Sequence, residues 1–342
     1  MPAASSRVSQ PRCAGENPPL PDHVKMPEQL SSAEIADLRH TSYNATLTAM
    51  REVHDQLRVI RVTPDGDVPE YQAGQFTTLG LGFWEPRAPG TQEEHPGATS
   101  LRKMIKRAYS ISFPIFDESG SLLKIADCQF LEFYVALIRN SPGPPPALTP
   151  RLFCLQPGDR LFVGPKITGQ YTLAPVTSAD DVIFLATGTG EAPHNAMIAD
   201  LLSRGHSGRV ISAVGVRRRA DLAYEAPHRA LERRFPNYRY LPCTTREPPD
   251  VEQGQFNHVG RGHLQTLIES GRLELELGHP LDPGRTQVFL CGNPGMIGIP
   301  RLDDSGNRIY PEPPGVIELL EQRGFHADLH GRAGNVHFEK YW

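Results

Sequence analysis

Short β-like runs occupy the chain from about residue 44 to residue 172. Gly, Pro or Asp bounds each run and no long helical period interrupts them; the runs are QLRVIRVT, GQFTTLGLGF, RAYSISF, LEFYVALIR and DRLFVG. This pattern favours a small antiparallel barrel or sandwich. Residues 85–100 and the proline-rich residues 141–150 read as loops within it.

The pattern changes after about residue 178. Continuous apolar runs, typical of strands buried on both faces, now occur: DVIFLA, GRVISAVGV, YRYLPCTT and TQVFLCG. They alternate with stretches of helical spacing, which are HNAMIADLLSRG, YEAPHRALERRF, GHLQTLIESGRL and GVIELLEQRGF. Such alternation predicts a doubly wound α/β domain with a parallel sheet. Residues 299–314 read as an insertion before the last helix.

Chain length supports a division into two domains, since 342 residues exceed the usual size of a single core. We predict a β-barrel domain over residues 44–175 and an α/β domain over residues 176–342. Residues 1–43 are predicted to be a disordered or irregular extension, because they begin with a Pro- and Ser-rich segment. That segment lacks the apolar stretch of a secretory signal.

Composition narrows the function classes. A net charge of −4 argues against a nucleic-acid binder that relies on a basic surface. The five cysteines are scattered without a C-x-x-C pair, which is typical of a reduced, intracellular protein without an iron–sulfur or other metal site. No apolar run approaches membrane-spanning length. We therefore expect a cytoplasmic protein that does not insert into membranes.

A glycine-rich segment, ATGTGEAPHNAM at residues 186–197, lies where a predicted strand turns into a helix. Gly188 and Gly190 would let the backbone approach a ligand, and Pro193 suits the first turn of a helix, whose amino end attracts phosphate. Because Pro193 replaces the third glycine of G-x-G-x-x-G, the segment also fits an ordinary glycine-rich turn.

The ends of the next two strands carry arginines. The strand GRVISAVGV is followed by Arg217, Arg218 and Arg219, and no carboxylate comes before them. The strand YRYLPCTT is followed by Arg246. An acidic residue there would suit the ribose of NAD, whereas arginine suits the 2′-phosphate of NADP, so we predict NADP(H). Any one of these arginines also fits a solvated cationic turn.

Cys291 stands at the carboxyl end of the last apolar run and Gly292 follows it. Open α/β sheets bind ligands at that edge, which predicts a position beside the nicotinamide. A buried cysteine also serves simply as a small hydrophobic residue.

The segment RAYS suggests a second ligand. Arg107 and Tyr109 on one strand project to the same side, about 7 Å apart. This spacing suits a flavin dinucleotide: Arg107 would pair with its pyrophosphate, Tyr109 would cover one face of the ring, and Ser110 would bond near N5. The same residues also fit a barrel strand with a snorkelling arginine. Trp342 would stack on a flat partner or dock into the core.

In their order along the chain, several segments resemble the ferredoxin–NADP⁺ reductases, particularly the bacterial ferredoxin/flavodoxin type. The segments are RAYS, LEFYVALI, LTPRLFCLQPGD, ATGTGEAP, RRRADLAY, TTRE, LIESGRLE, VFLCGNPGM and FEKYW, and the resemblance spans roughly residues 45–342. It implies an FAD-binding barrel followed by an NADP(H)-binding α/β domain.

The resemblance also implies the site residues. Those for FAD are Arg107, Tyr109, Ser110, Tyr134, Val135, Ala136, Leu148, Thr149 and Trp342. Those for NADP(H) are Thr187, Gly188, Thr189, Arg217, Arg218, Arg246, Cys291 and Gly292. The catalytic residues would be Ser110, Cys291, Glu339 and Trp342, and Trp342 would leave the flavin face before nicotinamide enters.

The expected reaction is hydride transfer from NADPH to flavin N5, followed by single-electron transfer to ferredoxin or flavodoxin. Acidic carriers would dock on Arg102, Lys103 and Lys106, and the chain is expected to be a monomer. One alternative is an NAD(P)H-dependent flavoprotein reductase that serves an oxygenase or another acceptor. A third possibility is a non-catalytic nucleotide-binding or assembly subunit.

Overall fold

The computed structural model describes residues 30–247, 263–305, 307–329 and 331–341. The strands in these ranges are β1 (Ala45–His54), β2 (Leu57–Pro64), β3 (Phe76–Gly82), β4 (Met104–Ser110), β5 (Leu131–Ala136), β6 (Arg160–Val163), β7 (Asp181–Thr187), β8 (Val210–Val216), β9 (Tyr238–Thr244), β10 (Thr286–Gly292), β11 (Arg301–Leu302), β12 (Arg308–Ile309) and β13 (Val336–Lys340). The α-helices are α1 (Ser32–Ser42), α2 (Thr149–Leu152), α3 (Glu191–Ser203), α4 (Glu225–Arg234), α5 (Gln265–Glu269), α6 (Arg272–Leu277), α7 (Pro294–Ile297) and α8 (Val316–Glu321).

Strands β1 to β6 form an antiparallel sheet in the order β4-β3-β6-β1-β2-β5. Just beyond β4, the amide of Ser112 donates to the carbonyl of Glu132 on β5 at 2.8 Å. This bridge joins the two outer strands and closes the sheet, so the predicted barrel is confirmed. Strand β1 was not among the predicted runs, because exposed and half-buried polar residues interrupt its apolar alternation.

Strands β13-β10-β7-β8-β9 form a second sheet in that order, and all of its strands are parallel. From β7 the chain builds outward through β8 and β9, then crosses over to β10 and β13. This reversal leaves a crevice at the carboxyl ends of β7 and β10, where ligands of open α/β sheets bind. The predicted doubly wound domain is confirmed.

Secondary structure differs from the predictions at several places in the second domain. The predicted helix GHLQTLIESGRL is two short helices, α5 and α6, because Gly271 between them adopts a φ of 72°. The insertion at residues 299–314 contains the hairpin of β11 and β12. The FEK of the final motif belongs to strand β13, which pairs with β10.

Helix α1 corrects the prediction that residues 1–43 form a disordered or irregular extension. Ser31 and Glu34 form a reciprocal capping box at its start, and Arg39 binds the Glu85 carboxylate of the barrel at 2.6 Å. Hydrophobic periodicity could not reveal α1, since it buries none of its side chains. The earlier part of the extension, residues 1–29, lies outside the described residues, as does the segment 248–262.

Within the described ranges, no helix combines the length and apolarity that a membrane span requires.

Candidate active site

The glycine-rich segment forms the turn between β7 and α3, and it lies against the end of β10. A Cβ on Gly190 would stand 2.3 Å from the carbonyl oxygen of Cys291, and a Cβ on Gly292 would stand 2.3 Å from Thr187 Oγ1. Thr187 Oγ1 also accepts the amide hydrogen of Asn293 at 2.7 Å. The two strand ends are therefore in backbone contact, and glycine is required at both positions.

Cys291 is fully buried at this rim. Burial raises the pKa of its thiol well above the ordinary value. The side chain is therefore a neutral thiol, in contrast to the electropositive, partly exposed surroundings of a reactive thiolate. Cys291 is the register partner of Glu339 on the neighbouring strand β13.

A hydrogen bond between the two domains completes the rim. Ser110, the last residue of β4 in the barrel, donates its hydroxyl hydrogen to Glu339 Oε2 at 2.9 Å. Burial raises the pKa of Glu339, and the bond from Ser110 opposes that effect. The structure thus brings together Ser110, Cys291 and Glu339, three of the residues that the sequence predicted as catalytic.

Tyr341 lies among these residues, although the sequence did not predict it as a site residue. Its hydroxyl donates to the carbonyl of Thr189 at 3.3 Å and also contacts the side chains of Ser110 and Cys291. Its amide donates to the carbonyl of Gly292 at 3.1 Å. The available signal was the pair of adjacent aromatic residues in FEKYW, of which only Trp342 was chosen. Trp342 itself lies outside the described residues.

Arg107 and Tyr109 follow the predicted alternation on β4. The Tyr109 ring packs edge-on against Phe133, with the ring centres 6.4 Å apart, and burial raises the pKa of its hydroxyl. The Arg107 guanidinium is exposed and donates to the carbonyl of Lys106 at 2.8 Å. In the described part of the chain Arg107 has no carboxylate partner, so its charge is available to an anion.

The remaining residues predicted to bind FAD have varied surroundings. Tyr134 donates its hydroxyl hydrogen to the carbonyl of Asp221 at 2.7 Å, which places it at the domain interface. Val135 and Leu148 are buried in the barrel core, so that only their backbones are available to a ligand. Ala136 ends β5 and is partly buried, and Thr149 begins α2, with Oγ1 accepting the amide hydrogen of Ile138 at 3.3 Å.

The predicted 2′-phosphate arginines converge as the sequence suggested. Arg217 and Arg246 follow the adjacent strands β8 and β9, and the amide of Arg246 donates to the carbonyl of Arg217 at 2.7 Å. Both side chains are exposed, as is that of Arg218, whose amide donates to Asp221 Oδ2 at 2.9 Å. Two strand ends thus present positive charge beside the glycine-rich turn.

Comparison with known proteins agrees with this geometry. The model of the oxidoreductase NAD-binding domain family matches residues 184–301. The ferredoxin–NADP reductase of Azotobacter vinelandii is 30% identical over 262 residues, which cover 75% of this chain and 87% of that protein. The reductase of Pseudomonas aeruginosa is 28% identical over 291 residues, covering 83% and 97% respectively.

Among solved structures, a ferredoxin NADP⁺ reductase from Neisseria gonorrhoeae with bound FAD and NADP superimposes with a TM-score of 0.62. It is 20% identical, and the match covers 87% of this chain and 97% of that one. A cytochrome P450 reductase of Amycolatopsis has a TM-score of 0.56 and is 18% identical, with 87% and 69% covered. At these sequence identities, the two similarities show a shared fold and no more.

A closed barrel joined at its edge to the carboxyl rim of a dinucleotide-binding sheet defines a two-domain oxidoreductase. The extent of the match to the Azotobacter reductase makes the assignment specific. The chain belongs to the bacterial ferredoxin–NADP reductase family.

Proposed function

We propose that the protein transfers electrons between NADP(H) and a one-electron carrier protein, ferredoxin or flavodoxin. FAD and NADP(H) are the cofactors, in keeping with its family. The observation that carries the proposal is the bond from Ser110 to Glu339, which sets the end of the RAYS strand against the strand that flanks Cys291. Barrel and sheet therefore share one site.

The residues of the barrel fit an FAD. Arg107 offers an exposed guanidinium without a carboxylate partner among the described residues, and Tyr109 offers an aromatic ring two residues further along β4. Guanidinium groups bind phosphates with paired hydrogen bonds, and flat rings stack on tyrosine. When bound, FAD supplies the acceptance of hydride at N5 and the release of single electrons.

The residues of the sheet fit NADP(H). The turn at Gly190 presents the amino end of α3, a helix of 13 residues, and such ends attract phosphate. Arg217 and Arg246 supply the positive charge that a 2′-phosphate requires. Cys291 and Gly292 lie directly beside this turn, where a neutral thiol and a glycine leave room for a flat ring.

At the reacting centre, the protein contributes alignment and control of protons. The Ser110 hydroxyl donates its hydrogen to Glu339, and this bond fixes the orientation of the hydroxyl group. Glu339 has a raised pKa and can hold a proton more readily than an exposed carboxyl group, on the oxygen that does not accept from Ser110. Tyr341 packs over Thr189 and Cys291 and excludes water from the rim. A shielding role for Trp342 remains a prediction.

Anaerobic mixing of the purified protein with NADPH tests the proposal. Bleaching of the flavin band, followed by reduction of ferredoxin or flavodoxin, is the expected result. Ser110→Ala should slow bleaching by about 10- to 100-fold, since small misalignments cost that much. Ser203→Ala, at the far end of α3, is the matched control and should bleach at the wild-type rate.

Turnover with ferredoxin, with flavodoxin and with an artificial dye separates the acceptors. Efficient reduction of a carrier protein with a salt-sensitive rate supports the proposal, because acidic carriers dock through charge. Turnover with the dye alone would point to a reductase that serves another acceptor. A colourless protein, or a band that NADPH leaves unchanged, would contradict the enzyme assignment.

A further inference from the structure

A buried polar cluster lies beneath the glycine-rich turn. Glu191, the first residue of α3, is 1% exposed and follows Gly190 directly. Its Oε1 accepts from the hydroxyl of Tyr240 at 3.1 Å and lies 3.2 Å from Nε2 of His228. The His228 ring also stacks on Tyr240, with the ring centres 4.4 Å apart. Burying a carboxyl group this deeply is costly unless the group is hydrogen-bonded.

His228 joins this carboxyl group to the rest of the domain. Its Nδ1 lies 2.7 Å from the hydroxyl oxygen of Tyr238, and its Nε2 lies 2.9 Å from Oδ1 of Asn195. Since an amide oxygen accepts hydrogen bonds, Nε2 carries the hydrogen that Asn195 receives, and the Glu191 carboxyl group lies beside that N–H. Both ring nitrogens are therefore satisfied, and the start of α3 is bonded to α4 and β9.

The cluster continues into the barrel. Asn195 Nδ2 donates to Ser112 Oγ at 3.3 Å, and Ser112 donates to the hydroxyl of Tyr224 at 2.9 Å. Tyr224 in turn donates to Oε1 of Glu132 at 3.0 Å. Ser112 lies two residues beyond Ser110, which ends the strand of the proposed flavin contacts. Buried polar contacts thus run from the end of that strand through Asn195 and His228 to Glu191, the first residue after the glycine-rich turn.

We propose that Glu191 is a positioning residue for NADP(H), acting through the glycine-rich turn. The inference rests on the proposed function in assigning the nucleotide to this turn. Backbone contacts with Cys291 and Gly292 hold the turn from one side, and the Glu191 carboxyl group holds its other end from below. Glu191 Oε2 has no partner among the described residues, so the attachment is made through Oε1 alone.

The test compares Glu191→Met, which removes the acceptor at similar volume, with Glu191→Gln, which keeps an acceptor oxygen. In Glu191→Met the Tyr240 hydroxyl loses its acceptor and the His228 N–H loses the neighbouring carboxyl group, so the turn leaves its binding position for part of the time. Titration calorimetry should show NADP⁺ affinity weakened about tenfold or more, and Glu191→Gln should stay within about threefold.

Hydrogen exchange in the ligand-free protein gives a second readout that needs no nucleotide. Backbone amides of residues 188–191 should exchange faster in Glu191→Met than in wild type, and Glu191→Gln should restore their protection. Asp200→Asn, a change of the same type about 14 Å away at the other end of α3, is the control and should alter neither measurement. If Glu191→Met folds poorly, Tyr240→Phe removes only the hydroxyl that Glu191 accepts.

Wild-type exchange at residues 188–191 in Glu191→Met, whatever its melting temperature, would overturn the positioning role. Equal losses of NADP⁺ affinity in Glu191→Met and Asp200→Asn would also overturn it. If the wild-type protein binds no NADP⁺, the proposed function fails, while the exchange comparison still decides whether Glu191 positions the turn. Faster exchange in Tyr240→Phe supports the role, and unchanged exchange there counts against it.

Discussion

Gly190→Ala tests the contact between the ends of β7 and β10. The new Cβ would lie 2.3 Å from the carbonyl oxygen of Cys291, 2.6 Å from its carbon and 3.0 Å from Gly292 Cα. Ordinary contacts begin near 3.4 Å, so the two backbones must separate by about 1 Å. Overpacking of this kind costs about 1–3 kcal/mol of unfolding free energy.

The separation should also move the nucleotide turn. We expect NADP⁺ affinity to fall about tenfold or more, measured by calorimetry beside unfolding in urea, since displacements near 1 Å have large effects. Gly205→Ala is the matched control, because Gly205 adopts a φ of 74° beyond the other end of α3 and a Cβ there meets nothing within 4 Å. It should cost about 1–2 kcal/mol of backbone strain and leave affinity unchanged.

Two results would refute the reasoning. Wild-type stability and affinity in Gly190→Ala would mean that the strand ends are not in close contact. An equal loss of affinity in Gly205→Ala would mean that general destabilisation, rather than the geometry of the rim, weakens binding.

Three further predictions concern the same site. Because burial raises the folded-state pKa of Glu339 above its ordinary 4.5, its protonated form contributes stability that is lost as pH rises through the folded pKa. Above pH 4.5 the wild type should therefore lose unfolding free energy relative to Glu339→Gln as pH rises, as urea titrations at several pH values would show. Arg217→Ala and Arg246→Ala should each lower the preference for NADPH over NADH about tenfold in kcat/KM, whereas an unchanged ratio would remove that residue from the 2′-phosphate site. Iodoacetamide should modify half-buried Cys154 before buried Cys291 in the native protein, and mass spectrometry showing the reverse order would contradict the burial of Cys291.

Local sequence patterns predicted a strand or helix correctly where its apolar residues follow a distinctive period. The runs around DVIFLA and TQVFLCG predicted buried strands because both faces of a central parallel strand are apolar. Helix α1 and strand β1 escaped prediction for the opposite reason, since their polar residues give no clear apolar face. Strand β13 was not predicted, because only its pairing with β10 reveals it.

Contacts between distant residues lay beyond sequence reasoning. Nothing in a linear pattern pairs Ser110 with Glu339, 229 residues away, or places Tyr341 against Thr189. The Glu191–His228 cluster was also invisible, because a glutamate after a glycine-rich turn reads as a solvated helix start until burial is known.

The sequence by itself determined the class of the protein: two domains, a dinucleotide turn, the arginines that favour NADP(H) and the ordered motifs of a reductase family. These follow from local chemistry, since backbone geometry and charge type are properties of short segments. Only the tertiary structure decided which groups meet at the rim and which polar groups are buried beneath it. Burial and long-range pairing set pKa values and positions, and they depend on how the barrel and the sheet pack together.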